Sequence, residues 1–355
     1  MKLCLIGDAK NIHIRRRAEF FARVGYDVHV ISFSNYDIPK TKVHLLHSVL
    51  PMKLKYFGVI FSALNRIDCI QPDVIDVHYL TGFGFIGSFI PKKYPVVATA
   101  WGSDVLVSTY RSFFLKHVVQ RISTRADKII SVSKQITQRL KELDVDEKKI
   151  ETFPMGVDLQ KFQCQKFFTK QEKKLPFTVI STRWLEPIYN IGLLIDAIAL
   201  VVEKNKNFHF IIVGDGSLRS KYEQLIGEKK IKEYVTFTGK VDHTQLIKLL
   251  ADADVYVTTS LSDGTSESLL EAMASGLFPI ATNIPANSSW IRHGENGVLI
   301  PINDPHKLAE YFLIAYEDEK LRKRAVEENL KIIVEKGNLH KNMDRLSGIY
   351  ESLVR

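Results

Sequence analysis

The sequence predicts an α/β protein built from two doubly wound parallel-sheet domains that face each other across a cleft. Short apolar runs ending at glycine or polar turns alternate with stretches of helical periodicity along most of the 355 residues, the pattern of βαβ units and parallel sheets. The alternation lapses once, at residues 151–174, where Lys and Gln replace periodicity as they would in an interdomain linker. The length also exceeds the size at which one hydrophobic core usually stops growing.

Taken in order, residues 1–6 form a short apolar strand that meets Gly7, and a helical pattern follows at residues 14–24. Gly25 and Tyr26 stop that helix, and residues 27–33 alternate as a second strand. Strands at 74–78, 96–100 and 128–132 and helices at 111–124 and 134–143 continue the series. Past the linker, strands at 177–182, 208–213, 235–239, 255–259 and 278–281 alternate with helices at 192–204, 217–228, 243–251 and 266–274. Residues 305–355 read as helical. The expected organisation is a Rossmann-like N-terminal domain at 1–170, a Rossmann-like C-terminal domain at 171–335, and a final helix at 336–355 that packs back toward the first. Ligands of such sheets lie beyond the carboxyl ends of the strands, so function is expected in the cleft.

Composition sets the class. With 45% hydrophobic and 25% charged residues the chain can bury a substantial core, which excludes a disordered protein. Cys4, Cys69 and Cys164 are odd in number and show no CxxC spacing, so neither a disulfide framework nor a zinc site is expected. Asp8 and Lys10 break the N-terminal apolar run, and no stretch reaches the roughly 18 apolar residues of a membrane span. The expected location is cytoplasmic. Residues 1–174 hold 28 Lys and Arg against 16 Asp and Glu, so the overall charge of +9 belongs to the N-terminal half. Such a half suits an anionic membrane surface or a phosphate-bearing acceptor, and equally general solubility. The basic, aromatic stretch at 108–125 reads either as a membrane-docking helix or as an amphipathic packing helix.

The segment richest in chemistry runs SLSDGTSESLLEAMASG from Ser260, a strand end, a glycine turn and a helix. Asp263 and Glu271 lie eight residues apart, one ahead of the helix and one inside it, so both can face one ligand from different heights. Backbone N–H groups of Ser266, Glu267 and Ser268 at the helix start would suit a diphosphate. Locally, Ser268 and Glu271 also fit an S-x-x-E capping box, with Asp263 as a turn cap.

The wider pattern decides how these residues are read. The chain resembles the retaining glycosyltransferases of the GT-B fold, family 4, whose C-terminal domain carries an acidic pair with seven residues between its members, followed by EAMASG-like sequence. Further matches are IHIRRRAEFFARVGYDVHV near the start, WGSD at 101–104, MGVDLQKF at 155–162, Arg183, the GDG at 214–216 and HGENGVLI from His293. The resemblance implies that the N-terminal domain takes the acceptor and the C-terminal domain the nucleotide sugar. It implies that Glu271 binds the ribose hydroxyls and that Asp263 holds hydroxyls of the donor sugar near its reacting carbon. Ionised carboxylates suit both roles, accepting paired hydrogen bonds and stabilising positive charge on the sugar. Arg183 would hold the leaving diphosphate. Gly239, Lys240 and Val241 match the segment that lines the base, and Gly264, Thr265 and Ser266 the turn that meets the donor. On the acceptor side, His13 and Arg16 match the first loop and helix and His78 the strand-end histidine, while Asp104 matches the acidic catalytic position of the family's HGxD element.

Departures are equally specific. Gly7 is followed by Asp8 where the family has a second glycine, Trp101 stands at the histidine of HGxD, Tyr189 at the lysine that usually follows the arginine, and Glu267 adds a carboxylate at the helix start. The implied activity is retaining transfer of a hexose-type sugar from a nucleoside diphosphate sugar such as a UDP-sugar to a glycan or lipid-linked hydroxyl. No metal or other cofactor is expected, nor nucleic acid, and an anionic membrane surface joins the donor and acceptor as a candidate partner. The alternatives are a nucleotide-sugar epimerase of the same fold and a non-catalytic Rossmann-type nucleotide-binding protein. The latter is disfavoured because GDAKNI, not G-x-G-x-x-G, follows the first strand.

Overall fold

A computed structural model describes residues 1–51, 54–162 and 176–354. Its strands, in chain order, are β1 (Lys2–Ile6), β2 (Asp27–Ser32), β3 (Thr41–Leu45), β4 (Val74–His78), β5 (Val96–Ala100), β6 (Lys128–Ser131), β7 (Ile150–Thr152), β8 (Phe177–Ser181), β9 (Phe208–Val213), β10 (Val235–Gly239), β11 (Val255–Thr258), β12 (Phe278–Thr282) and β13 (Val298–Ile300). The chain divides into two compact units, Met1–Met155 with His340–Arg355, and Gly156–Leu339. The sequence reading set its divisions at 170 and 335.

In the first unit the strands are ordered β3-β2-β1-β4-β5-β6-β7, all parallel. Strand order reverses between β1 and β4, which makes that edge-to-edge boundary the natural ligand crevice. The first helix, Ile12–Arg23, ends as its glycine demands: Gly25 sits at φ +94°, and Tyr26 N–H reaches back to Phe21 O at 3.0 Å. The final helix, Leu339–Val354, belongs to this unit through Tyr350, whose hydroxyl donates to Asp76. Arg17 also donates to Asp76, and to Thr99 Oγ1 at 2.8 Å, so a buried cation and anion from distant segments neutralise one another and the phenol supplies the carboxylate a further donor.

The second unit has the order β10-β9-β8-β11-β12-β13, again all parallel. Its central strands are buried on both faces, as parallel sheets require. Val179, Val255 and Val257 pack with helices Ile191–Lys204 and Pro305–Glu317, while Ile180 and Tyr256 pack with Leu269, Leu270 and Met273 of helix Glu267–Ala274. Each such side chain taken out of water stabilises the fold by about 1.5–3 kcal/mol, so the period-two alternation pins the helix to its face of the sheet.

Four local expectations change. Strands β3, β7 and β13 were not anticipated: β3 is a half-exposed edge strand, and the other two are three residues long, too short to show periodicity. β7 pairs with β6 and takes the start of the expected linker, whose residues 163–174 lie outside the described residues along with Cys164. The helix expected at 111–124 starts at Phe113, because Ser112 is extended and its Oγ accepts from Leu115 N; Ser108–Arg111 is a separate turn. The C-terminal stretch is three helices, Pro305–Glu317, Glu319–Lys336 and Leu339–Val354.

Candidate active site

In the second unit β8 and β11 are neighbours at the point where strand order reverses, and the segments leaving their carboxyl ends carry the acidic pair and the arginine. Arg183, two residues past β8, is only 9% exposed. Its Nε donates to Thr258 Oγ1 at 3.2 Å, and its Nη2 donates to Ser266 Oγ at 2.6 Å and to the Asp263 carboxylate. Nη1 has no protein partner among the described residues. Burial opposes the charge on this guanidinium, but Tyr256 and Asp263 beside it outweigh burial and its proton is held more tightly than usual. The result is a fixed cation with one N–H edge uncommitted.

Helix Glu267–Ala274 begins against that cation. Ser266 is its N-cap, yet the Ser266 hydroxyl makes no cap bond because Arg183 uses it. The capping-box reading fails: Ser268 Oγ pairs with Tyr256 OH at 2.9 Å. One expected anion donor is also lost, since Glu267 N–H bends back to Thr265 O at 3.0 Å. Asp263 Oδ1 accepts from Gly264 N at 2.8 Å, and each carboxylate oxygen keeps a further lone pair. Thus Arg183, Asp263, Gly264 and Ser266 form one cluster with Thr265 in the same turn. Glu271, in the next turn of the helix and 7% exposed, has His243 Nε2 at 4.0 Å from its Oε1. His243, the first residue of helix His243–Asp252, was missed by the sequence reading, as was Thr258; His243 stands two residues beyond Val241, which was the available signal.

The remaining donor-side residues follow β10. Gly239 closes that strand at φ +70°, with its carbonyl accepting from Gly214 N at 3.0 Å. Lys240 is exposed, its Nζ 5.9 Å from the Trp184 ring centre, and Val241 is half-buried against the core under helix Glu267–Ala274. Gly214 matters by close approach: a Cβ there would come within 2.5 Å of Arg183 O. The GDG loop therefore lies backbone-on-backbone against the segment that carries the arginine. A groove of about 650 Å³ at the ends of β12 and β13, lined by Asn283, His293 and residues 299–303, holds none of these residues.

The first unit gathers its candidates beyond β1, β4 and β5. Asn11 caps helix Ile12–Arg23 by accepting from His13 N at 2.8 Å. The His13 ring stacks on Trp101, centroids 4.0 Å apart, and Trp101 Nε1 donates to His78 Nδ1 at 3.3 Å. Arg16 is half-buried on the same helix. Two further candidates are buried. His78 is fully buried, that burial holds its pKa well below 6.5, and its Nδ1 supports the Trp101 indole. Asp104, 2% exposed, accepts from Leu80 N (2.8 Å), Trp101 N (3.2 Å) and Gly102 N (2.9 Å), which ties the loop after β5 to the loop after β4. Burial raises its pKa while these backbone donors work to lower it.

Comparison with known proteins gives the family. The description "Glycosyl transferases group 1" matches residues 163–331, and "Glycosyl transferase 4-like" matches residues 2–133. The chain is a glycosyltransferase of the GT-B, family 4 type. An uncharacterized glycosyltransferase of Methanocaldococcus jannaschii is 27% identical over 338 residues, spanning 92% of this chain and 90% of that protein. A UDP-Gal:alpha-D-GlcNAc-diphosphoundecaprenol alpha-1,3-galactosyltransferase of Escherichia coli is 26% identical over 331 residues, 89% of this chain and 77% of its own. The crystal structure of Anabaena HepE in complex with UDP superposes with a TM-score of 0.82 over 99% of this chain and 100% of that one; at 17% identity the likeness is one of fold.

The departures of this glycosyltransferase from its family now have places in space. Tyr189 supplies no second cation; its ring lies 5.1 Å from the Arg183 guanidinium and supports it from the side. Trp101 fills the gap between His13 and His78. At Gly7 a Cβ would come within 2.4 Å of Ile14 Cδ1, so the single glycine serves helix packing against the sheet.

Proposed function

We propose that this glycosyltransferase moves a hexose from a UDP-sugar, with retained anomeric configuration and without a metal, to a hydroxyl of a glycan or lipid-linked acceptor in cell-surface polysaccharide synthesis. The carrying observation is Arg183, fixed by Thr258, Asp263 and Ser266 at a helix start with Nη1 left over. A guanidinium so held presents its remaining N–H to a diphosphate at little entropic cost, and the helix start adds a favourable field. Asp263 is adjacent to take sugar hydroxyls and to stabilise an oxocarbenium-like centre, and Glu271 to take the ribose diol. Support for the base comes from HepE, which was solved with UDP and with UDP-glucose, and support for a lipid-linked acceptor from the name of the E. coli relative. A cytoplasmic site of action, peripheral at the inner face of the membrane, suits such an acceptor.

The test is a thermal-shift series with UDP, GDP and ADP and their hexose conjugates, followed by turnover with EDTA present and NMR of the product anomer. A ligand at a hundred times its Kd stabilises the fold by about 2.7 kcal/mol, so the UDP series should give the largest shift. An inverted product, a requirement for metal, or donor conversion without acceptor, as an epimerase would show, each overturns its part of the proposal.

A further inference from the structure

Three segments far apart in the first unit meet in an aromatic ridge that the donor site does not use. Phe57 opens the turn into helix Ile60–Ile70, Phe85 lies in helix Phe83–Gly87, and Phe114 stands at the start of helix Phe113–Arg125. The Phe57 ring is 4.5 Å from Phe85 and 6.1 Å from Phe114, centre to centre. Two more rings belong to these helices and are nearly bare: Phe61 is 83% exposed and Phe113 77%. Helix Phe113–Arg125 already meets the core through Val118, Val119 and Ile122, so its aromatic end is surplus to packing. Exposed aromatic surface gathered on one set of helices marks an interaction site.

Charge identifies the partner. Residues 38–127, which carry the ridge, contain eleven Lys and Arg against five Asp and no Glu, and two of those five, Asp76 and Asp104, are buried. Among the described residues Arg111, Lys116 and Arg121 have no carboxylate partner, and the Arg121 guanidinium sits 4.4 Å from the Phe89 ring centre, at the level of the aromatics. A second copy of the chain seated here would bring two predominantly basic faces together, a like-charge contact that opposes association. Rings beside uncommitted cations are instead the chemistry of a membrane interface, where aromatics enter the headgroup boundary and cations meet lipid phosphate. We propose that this ridge seats the enzyme on an anionic phospholipid bilayer. The proposal gives the peripheral placement suggested above its surface and rests on that placement alone, since it needs neither nucleotide nor the donor site.

Co-sedimentation of the full chain decides it, using phosphatidylcholine vesicles with and without about a third phosphatidylglycerol. Binding to the anionic vesicles should be at least about tenfold stronger than to neutral ones and should fall steeply as salt rises toward about 0.5 M. Phe61→Ser with Phe113→Ser, and separately Arg111→Glu with Lys116→Glu and Arg121→Glu, should each weaken it about tenfold or more while melting and the UDP thermal shift stay unchanged. Equal binding to both vesicle types, or full binding by the phenylalanine pair, overturns the proposal. So does a dimer seen by light scattering that the phenylalanine pair abolishes in a chain that ignores vesicles. A lost vesicle response with an intact UDP shift sinks only this surface; a lost UDP shift with intact vesicle binding sinks only the donor assignment.

Discussion

Arg183, Asp263 and Glu271 are where single side chains are expected to decide the outcome. Because Asp263 is the counter-ion of a buried guanidinium, Asp263→Ala removes both the proposed donor contact and a charge partner. It should lower turnover at least about a hundredfold and cost about 1–3 kcal/mol of stability, since Ser266 and Thr258 still hold the cation. Glu271→Ala should lower turnover comparably with a smaller shift in melting. Turnover and thermal melts of the two variants check this, and undiminished turnover in both would remove the site. A second residue-scale effect depends on pH. His78 is neutral in the folded chain because burial holds its pKa well below 6.5, so below that value the unfolded chain binds a proton that the folded chain refuses. Stability should therefore fall as pH drops from about 6.5 toward the depressed value. His29 and His44, also lowered by burial, act in the same direction, whereas Asp104, raised from 3.8, acts in the opposite one. Melts of His78→Asn between pH 7 and 5 should show a shallower slope than wild type; an unchanged slope would show that His78 is not the group responsible.

At the scale of elements, the donor cluster depends on how closely two loops can approach. Gly214, at φ +133° with its backbone against the Arg183 carbonyl, admits no side chain without displacing the segment after β8. Gly214→Ala should destabilise the second unit by about 2–3 kcal/mol through steric and backbone strain and weaken UDP binding as Arg183 shifts. Calorimetry and a UDP titration check it; tight UDP binding in this variant would mean that the loop does not set the arginine's position. Elements also explain what was readable from sequence. The long central strands and their helices were legible because both sides of a parallel sheet bury apolar residues, as Val179 and Ile180 do on opposite faces. β3 was missed because an edge strand such as Thr41–Leu45 stays half-exposed and carries no such run, and Ser112 was read through because its extended backbone leaves helical periodicity intact on both sides.

For the molecule as a whole, the chain's end completes its beginning. Tyr350 donates to Asp76, which also holds Arg17 and Thr99, so four segments share one buried polar network. Tyr350→Phe deletes one donor and leaves Asp76 paired with Arg17, a change expected to cost about 1–3 kcal/mol. The loss should appear as earlier melting of the unit formed by Met1–Met155 and His340–Arg355, with the UDP response of the other unit kept. Melting followed by probes placed in each unit distinguishes this from a uniform loss of stability.

The order of elements, the two-domain plan and the family were written in the sequence, because apolar periodicity and a run of motifs survive without knowledge of neighbours in space. The acidic pair was singled out by the family resemblance, since its spacing alone also fits a capping box. Only the tertiary structure decided which groups are free to meet a ligand: it put Asp263 on Arg183, gave the Ser266 hydroxyl to the same cation, closed Asp104 into three backbone bonds and buried His78. The reason is that availability of a polar group is set by burial and by competing partners, and those partners come from strands adjacent in the sheet but distant along the chain.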